Sequence, residues 1–130
     1  MGSSVLRASV IAIVGAILAN TVLYYLARAV IEVNPAFAPL GTPVQPALFT
    51  LGGVGLACVL YAWMRSRGGD VNHRFTLVAI VALILSFLPD VVLLASGMPG
   101  ATPASITVLM LMHVVAGAIA IKVLTMTPNP

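Results

Sequence analysis

Charge is what this sequence has least of: Asp, Glu, Lys and Arg make up 7% of its 130 residues, against about 25% in a soluble domain. Three acids and six cations cannot clothe a soluble domain, keep a chain disordered or lay out the phosphate-binding stripe that nucleic acid requires. An ordinary cytosolic enzyme, a disordered protein and a nucleic-acid-binding module are therefore excluded. Cysteine is almost missing as well. Cys58 stands alone, which excludes an intrachain disulfide and every multi-cysteine metal motif. Within an apolar run it reads as a small packing residue. The chain holds no complete catalytic or metal-binding constellation, no internal repeat, no low-complexity tract and no lipidation signal, so no cofactor and no metal is expected.

What is present is apolar. Hydrophobic residues reach 61% and the mean hydropathy is +1.14. Four apolar runs stand out, at residues 8–31, 47–64, 75–95 and 104–125, each near the ~20 residues that a helix needs to cross hydrocarbon. Backbone groups in lipid must satisfy one another, and uninterrupted runs of this length do so as helices; the alternation of barrel strands is absent. Residues 1–130 therefore read as one all-α domain, a four-helix transmembrane bundle whose first partner is the bilayer itself. The connections agree. Pro35, Pro39, Pro43 and Pro46 predict an extended segment lying over the bundle. Gly68 and Gly69 predict a turn, with Asp70 or Asn72 capping the third helix. Thr102 before Pro103 reads as an N-cap followed by the first helical position.

The cations set an orientation. With both termini cytoplasmic, Arg7, Arg65, Arg67, Arg74 and Lys122 lie on the inner side and Arg28 alone near the outer one, a clear positive-inside bias for a multi-pass protein of the inner (plasma) membrane. A competing reading takes Met1 to Ala29 as a signal peptide cleaved at Ala27-Arg28-Ala29. Its apolar run is longer than such peptides carry.

Polar side chains inside the spans are costly and point to anything beyond packing. Asn20, Tyr24 and Arg28 recur at every fourth residue of the first helix, with Glu32 continuing the series, so they form one stripe that should face protein. Together with Asp90 and His113 they define two alternatives. In one, Asn20, Tyr24, Arg28, Asp90 and His113 line an outward-opening polar cavity in which Asp90 and His113 carry protons. In the other, which the residues favour, Arg28 pairs with Glu32 or Asp90, and Asn20 shares a hydrogen bond with His113 as interhelical glue. His113 is also a weak candidate for a haem or pigment ligand. However, Met110 and Met112 lie on other faces of its helix, and His73 falls in the inner loop. Ala116, Gly117 and Ala120 share the face of His113, where another helix can approach closely. Asp90 follows Pro89, and its carboxylate has a further role open to it as a cap for the segment beyond. Gly52, Gly53 and Gly55 sit in an apolar helix with no preceding strand, so they predict close helix contact and not a phosphate loop. Tyr61 and Trp63 beside Arg65 and Arg67 predict an interfacial anchor.

The run from Leu109 through Met112-His113 to Ala116, preceded by Ala101-Thr102-Pro103-Ala104 and by a third span with Leu85-Ser86-Phe87-Leu88-Pro89, resembles a family of uncharacterised bacterial four-span membrane proteins. That resemblance covers most of the chain and implies the four-helix topology; it brings no activity. Two better-known families of this size fit less well. Fluoride channels carry an asparagine in a glycine-rich second span and paired phenylalanines in the third, where this chain has Phe87 alone. Small multidrug exporters work through a glutamate in the middle of the first helix, where this chain has Asn20. The expectation is thus a non-enzymatic inner-membrane protein acting through helix packing, as a homo-oligomer or as a subunit of a larger membrane complex. A small proton-linked transporter or channel using Asp90, His113 and Arg28 is the alternative, and membrane enzyme chemistry ranks last.

Overall fold

The structure is a computed structural model that describes residues 2–130. Four helices follow one another, α1 (Ser3–Val30), α2 (Val44–Arg67), α3 (Val71–Ala95) and α4 (Pro103–Thr125), with one 3-10 turn at Ala38–Leu40 between the first two. No strand occurs among the described residues. All four helices are long and apolar enough to cross a membrane. The helices outrun the apolar stretches, most clearly at the starts of α1 and α3. Hydropathy marks the oily middle of a helix, whereas its hydrogen-bonded ladder ends where a cap or turn stops it.

Those stops are local chemistry. Gly68 and Gly69 take φ of +71° and +84°, the left-handed region that favours glycine, and turn the chain between α2 and α3. The Asp70 carboxylate then accepts the backbone N–H of His73 at 3.2 Å and caps α3. Thr102 and Ser105 cap α4 reciprocally, with Pro103 in its first turn. Pro89 lies inside α3, which runs through it to Ala95; Asp90 therefore sits within a helix and caps nothing.

Helix α4 is the hub, packing on α1, α3 and α2, while α3 rests mainly on α4 and only lightly on α2. Two apolar cores result. At the end rich in arginine, Val5, Ala8, Ala12 and Ala16 of α1 meet Val54, Cys58 and Tyr61 of α2, Val71 and Phe75 of α3, and Ala120 and Leu124 of α4. The alanines allow close approach, and Leu83 of α3 lies against Gly117 of α4. At the other end, Tyr24, Ile106, Val108 and Met112 surround Phe37 and Leu40, both fully buried. The proline-rich connection is thus not the extended segment expected: it folds through the 3-10 turn, Pro46 belongs to α2, and the Phe37 and Leu40 side chains plug that end.

Two further expectations are corrected. A Cβ added at Gly52, Gly53 or Gly55 would meet nothing within 4 Å, so these glycines serve no helix contact inside the chain. Tyr61 is fully buried, with its ring edge-on to Phe75 at 5.1 Å, and belongs to the core. Trp63 keeps the anchoring position beside Arg67, whose guanidinium lies 5.2 Å from the ring centre.

Candidate functional site

The stripe on α1 divides along its length. Asn20 and Tyr24 are buried, and Arg28 and Glu32 are exposed. The Asn20 amide nitrogen donates to Thr50 Oγ1 at 3.0 Å and to the Met112 carbonyl at 3.2 Å, so one side chain ties α1 to both α2 and α4. The expected bond to His113 does not form: Asn20 Oδ1 is left without a partner while the imidazole faces another helix.

His113 turns to α3 instead. Its Nδ1 lies 2.9 Å from Asp90 Oδ2. Neither atom makes an aligned hydrogen bond, so the contact is one of charge and polarity. The Asp90 side chain is 5% exposed and that of His113 39%, which places the pair in the α3–α4 seam, closed on the aspartate side and open on the histidine side. The Phe87 ring stands 6.3 Å from the imidazole.

Arg28 pairs with neither carboxylate proposed for it. Helix α1 ends at Val30, and Ile31 is extended at φ −125° and ψ 152°, which swings Glu32 off the stripe and out of the four-residue register. The guanidinium lies over the Tyr24 ring at 5.4 Å and donates to the Leu40 carbonyl at 3.2 Å. Arg28, Glu32, Ile31, Val33, Asn34, Pro35 and Thr102 line an open cleft of about 670 Å³ at this end of the bundle. Asn20, Tyr24, Asp90 and His113 lie outside its lining. The six residues thus form three separate units: an asparagine tie, an acid–base contact in the α3–α4 seam, and a charged cleft with Tyr24 beneath its arginine. Among the described residues no three His, Cys, Asp or Glu side chains come together as a metal cage.

Sequence reasoning missed a fourth polar unit at the arginine-rich end. Tyr61 donates its hydroxyl to Asn72 Oδ1 at 2.7 Å, while the Asn72 amide nitrogen donates to the carbonyls of Thr125 and Thr127 at 3.1 and 2.9 Å. Arg65 donates to the Pro128 carbonyl at 2.6 Å, and Asn129 donates to Asp70 Oδ1 at 3.0 Å. The C-terminal segment is clasped against the α2–α3 turn. Its signal was composition: amide side chains at both places, each able to donate and accept at once. Within this clasp the Asp70 carboxyl is held below the usual carboxylate range, first by the His73 backbone N–H and then by the Asn129 amide.

A family of unknown function, DUF6069, matches this chain over residues 2–129. No curated protein and no solved structure matches it.

Proposed function

We propose, from the premise that the chain belongs to the DUF6069 family, that it is a non-enzymatic multi-pass protein of the bacterial inner membrane acting through helix packing, as a homo-oligomer or as an accessory subunit of a larger complex. Both termini face the cytoplasm, with Arg7, Arg65, Arg67, Arg74 and Lys122 on that side and the Arg28 cleft on the other. The observation that carries this reading is α3. It buries only Val71, Phe75 and Asp90, and Leu77, Val81, Ile84, Leu88 and Val92 are all more than half exposed. A helix held on one side alone offers its remaining faces to lipid or to another helix. Meanwhile Asn20, tied to Thr50 and Met112, and Asp90, facing His113, sit in separate units outside the Arg28 cleft, which supports packing over a shared transport path.

The test is cross-linking through α3 in native membranes. With Cys58 replaced by Ala, single cysteines are best placed at Ile84 and Leu88, both outward-facing. Cross-linked species of higher mass are expected at these positions and not at the buried Phe75. A protein that stays monomeric and brings nothing with it on purification would overturn the proposal. The transport reading draws on the open side of His113. It requires proteoliposome flux of protons, fluoride or cationic dyes that Asp90→Asn and His113→Ala abolish; wild-type flux at the empty-vesicle level removes it.

A further inference from the structure

The cleft beside Arg28 contains two opposite charges that do not meet. Arg28 and Glu32 both line it, yet the only acid–base contact within 4.0 Å among the described residues is Asp90 with His113. The end of α1 at Val30 is the cause, since the extended Ile31 takes Glu32 out of register. Arg28 is nonetheless held in place, by the Tyr24 ring below it and the Leu40 carbonyl beside it. Leu40 is itself buried in the adjoining core, so this acceptor is fixed. A guanidinium so placed still has free N–H donors in the planar fork that matches a phosphate. Asn34 adds an amide to the lining, its Oδ1 already held by the Ala36 N–H at 2.9 Å. The cleft lies where α1 ends and α4 begins, at the edge of the apolar band, which is the level of lipid headgroups. Its volume of about 670 Å³ falls within the roughly 300–1,000 Å³ of small-molecule sites.

We propose that this cleft binds a zwitterion made of a phosphate ester and a primary ammonium, as in the headgroup of phosphatidylethanolamine, with the phosphate on Arg28 and the ammonium on Glu32. A held arginine and an unpaired glutamate in one cleft complement such a group, whereas an anion without the ammonium leaves Glu32 repelling it. Trimethylation of the ammonium removes its N–H donors, so a phosphatidylcholine headgroup keeps the charge attraction to Glu32 but loses the hydrogen bond. The proposal rests on the four-span reading. Failure of that reading would show separately, as a protein that stays dispersed without detergent or lipid.

The test is lipid binding to the purified full chain in detergent, followed by native mass spectrometry with phosphatidylethanolamine, phosphatidylcholine and phosphatidylglycerol. Phosphatidylethanolamine is expected to bind most tightly. Arg28→Gln should weaken it by roughly tenfold, the scale of one charge-assisted hydrogen bond. Glu32→Gln should erase the preference over phosphatidylcholine by weakening phosphatidylethanolamine binding the more. Glu32 has no contact that holds the fold, so this arm stands even if Arg28→Gln fails to fold. Competition by soluble glycerophosphoethanolamine at equal concentration would support the same site with a water-phase ligand; its failure to compete would assign the site to lipid. Equal binding of the three lipids, tighter binding of phosphatidylglycerol, or a Glu32→Gln variant that keeps the preference would overturn the proposal.

Discussion

His113 Nδ1 approaches Asp90 Oδ2 to 2.9 Å across the seam between α3 and α4, the one acid–base contact among the described residues. An unpaired carboxylate in hydrocarbon is costlier than an unpaired amide. His113→Ala should therefore destabilise the fold more than Asp90→Asn does. The double variant should lose less than the two single losses combined, with a coupling of about 1 kcal/mol, the scale of interhelical polar contacts in membranes. Unfolding in mixed detergent micelles measures all three. Strictly additive losses would show that the two side chains are neighbours without being partners.

Gly100 lies beneath Phe37 and leaves no room for a side chain. An added Cβ would sit 2.8 Å from the Phe37 backbone nitrogen and 2.9 Å from its Cβ, and the glycine φ of +77° disfavours any other residue. Gly100→Ala should cost more than about 1 kcal/mol through strain and displacement of the Phe37 plug. Gly53→Ala is the matched control, because its Cβ would enter open space within a helix. It should be neutral or stabilising by up to about 1 kcal/mol. Equal thermal shifts for the two variants would refute the role of the plug.

Much of this architecture is legible in the sequence, because hydropathy reports directly on which segments avoid water. The four helices, the Thr102 cap and the Gly68-Gly69 turn all follow from local chemistry. Rotation of one helix against another is not local, and there hydropathy is silent. Helical rise brings Asp90 and His113 to within ~5 Å in depth, but it does not say how their helices are turned, so Glu32 and Asp90 stood as alternative partners for Arg28. The helix-end break at Ile31 decides against Arg28 and Glu32 pairing, and no cap residue announces it. Phe37 and Leu40 are hidden by their prolines, which mark a loop but do not say which of its side chains turn inward. The glycines of α2 mark a smooth helix face and leave its neighbour unspecified.

Asn20 joins three helices through one amide. Asn20→Ala should strip both hydrogen bonds and leave Thr50 and the Met112 carbonyl without that donor, at a cost of about 1–2 kcal/mol. Thr50→Val removes one acceptor and keeps the Met112 bond, so its loss should be the smaller. Ranked midpoints in detergent unfolding check the order. A Thr50→Val loss equal to that of Asn20→Ala would mean that the Met112 contact contributes nothing.

Asp70 closes both the N-terminus of α3 and the clasp on the C-terminal segment, through His73 N–H and the Asn129 amide. Because these donors hold its folded-state carboxyl below the ordinary value, the sign of the pH effect is set. Its contribution is complete above the unfolded carboxylate pKa of about 3.9, and it fades as pH falls from there through the lower folded value. Protonation removes charge from the acceptor and weakens both contacts, so the clasp should loosen in acid. Amide exchange at Met126, Thr127 and Asn129 relative to the intrinsic rate, followed from about pH 6 to pH 3 across the ordinary carboxylate range, should show falling protection for the wild type. Asp70→Asn keeps the side-chain shape and cannot titrate, so it should lack the carboxylate-dependent part of that fall. Every other titratable group is common to both proteins, so the difference between the two profiles isolates Asp70. Superimposable profiles would mean that the segment is held by Tyr61, Arg65 and Asn72 without help from the cap.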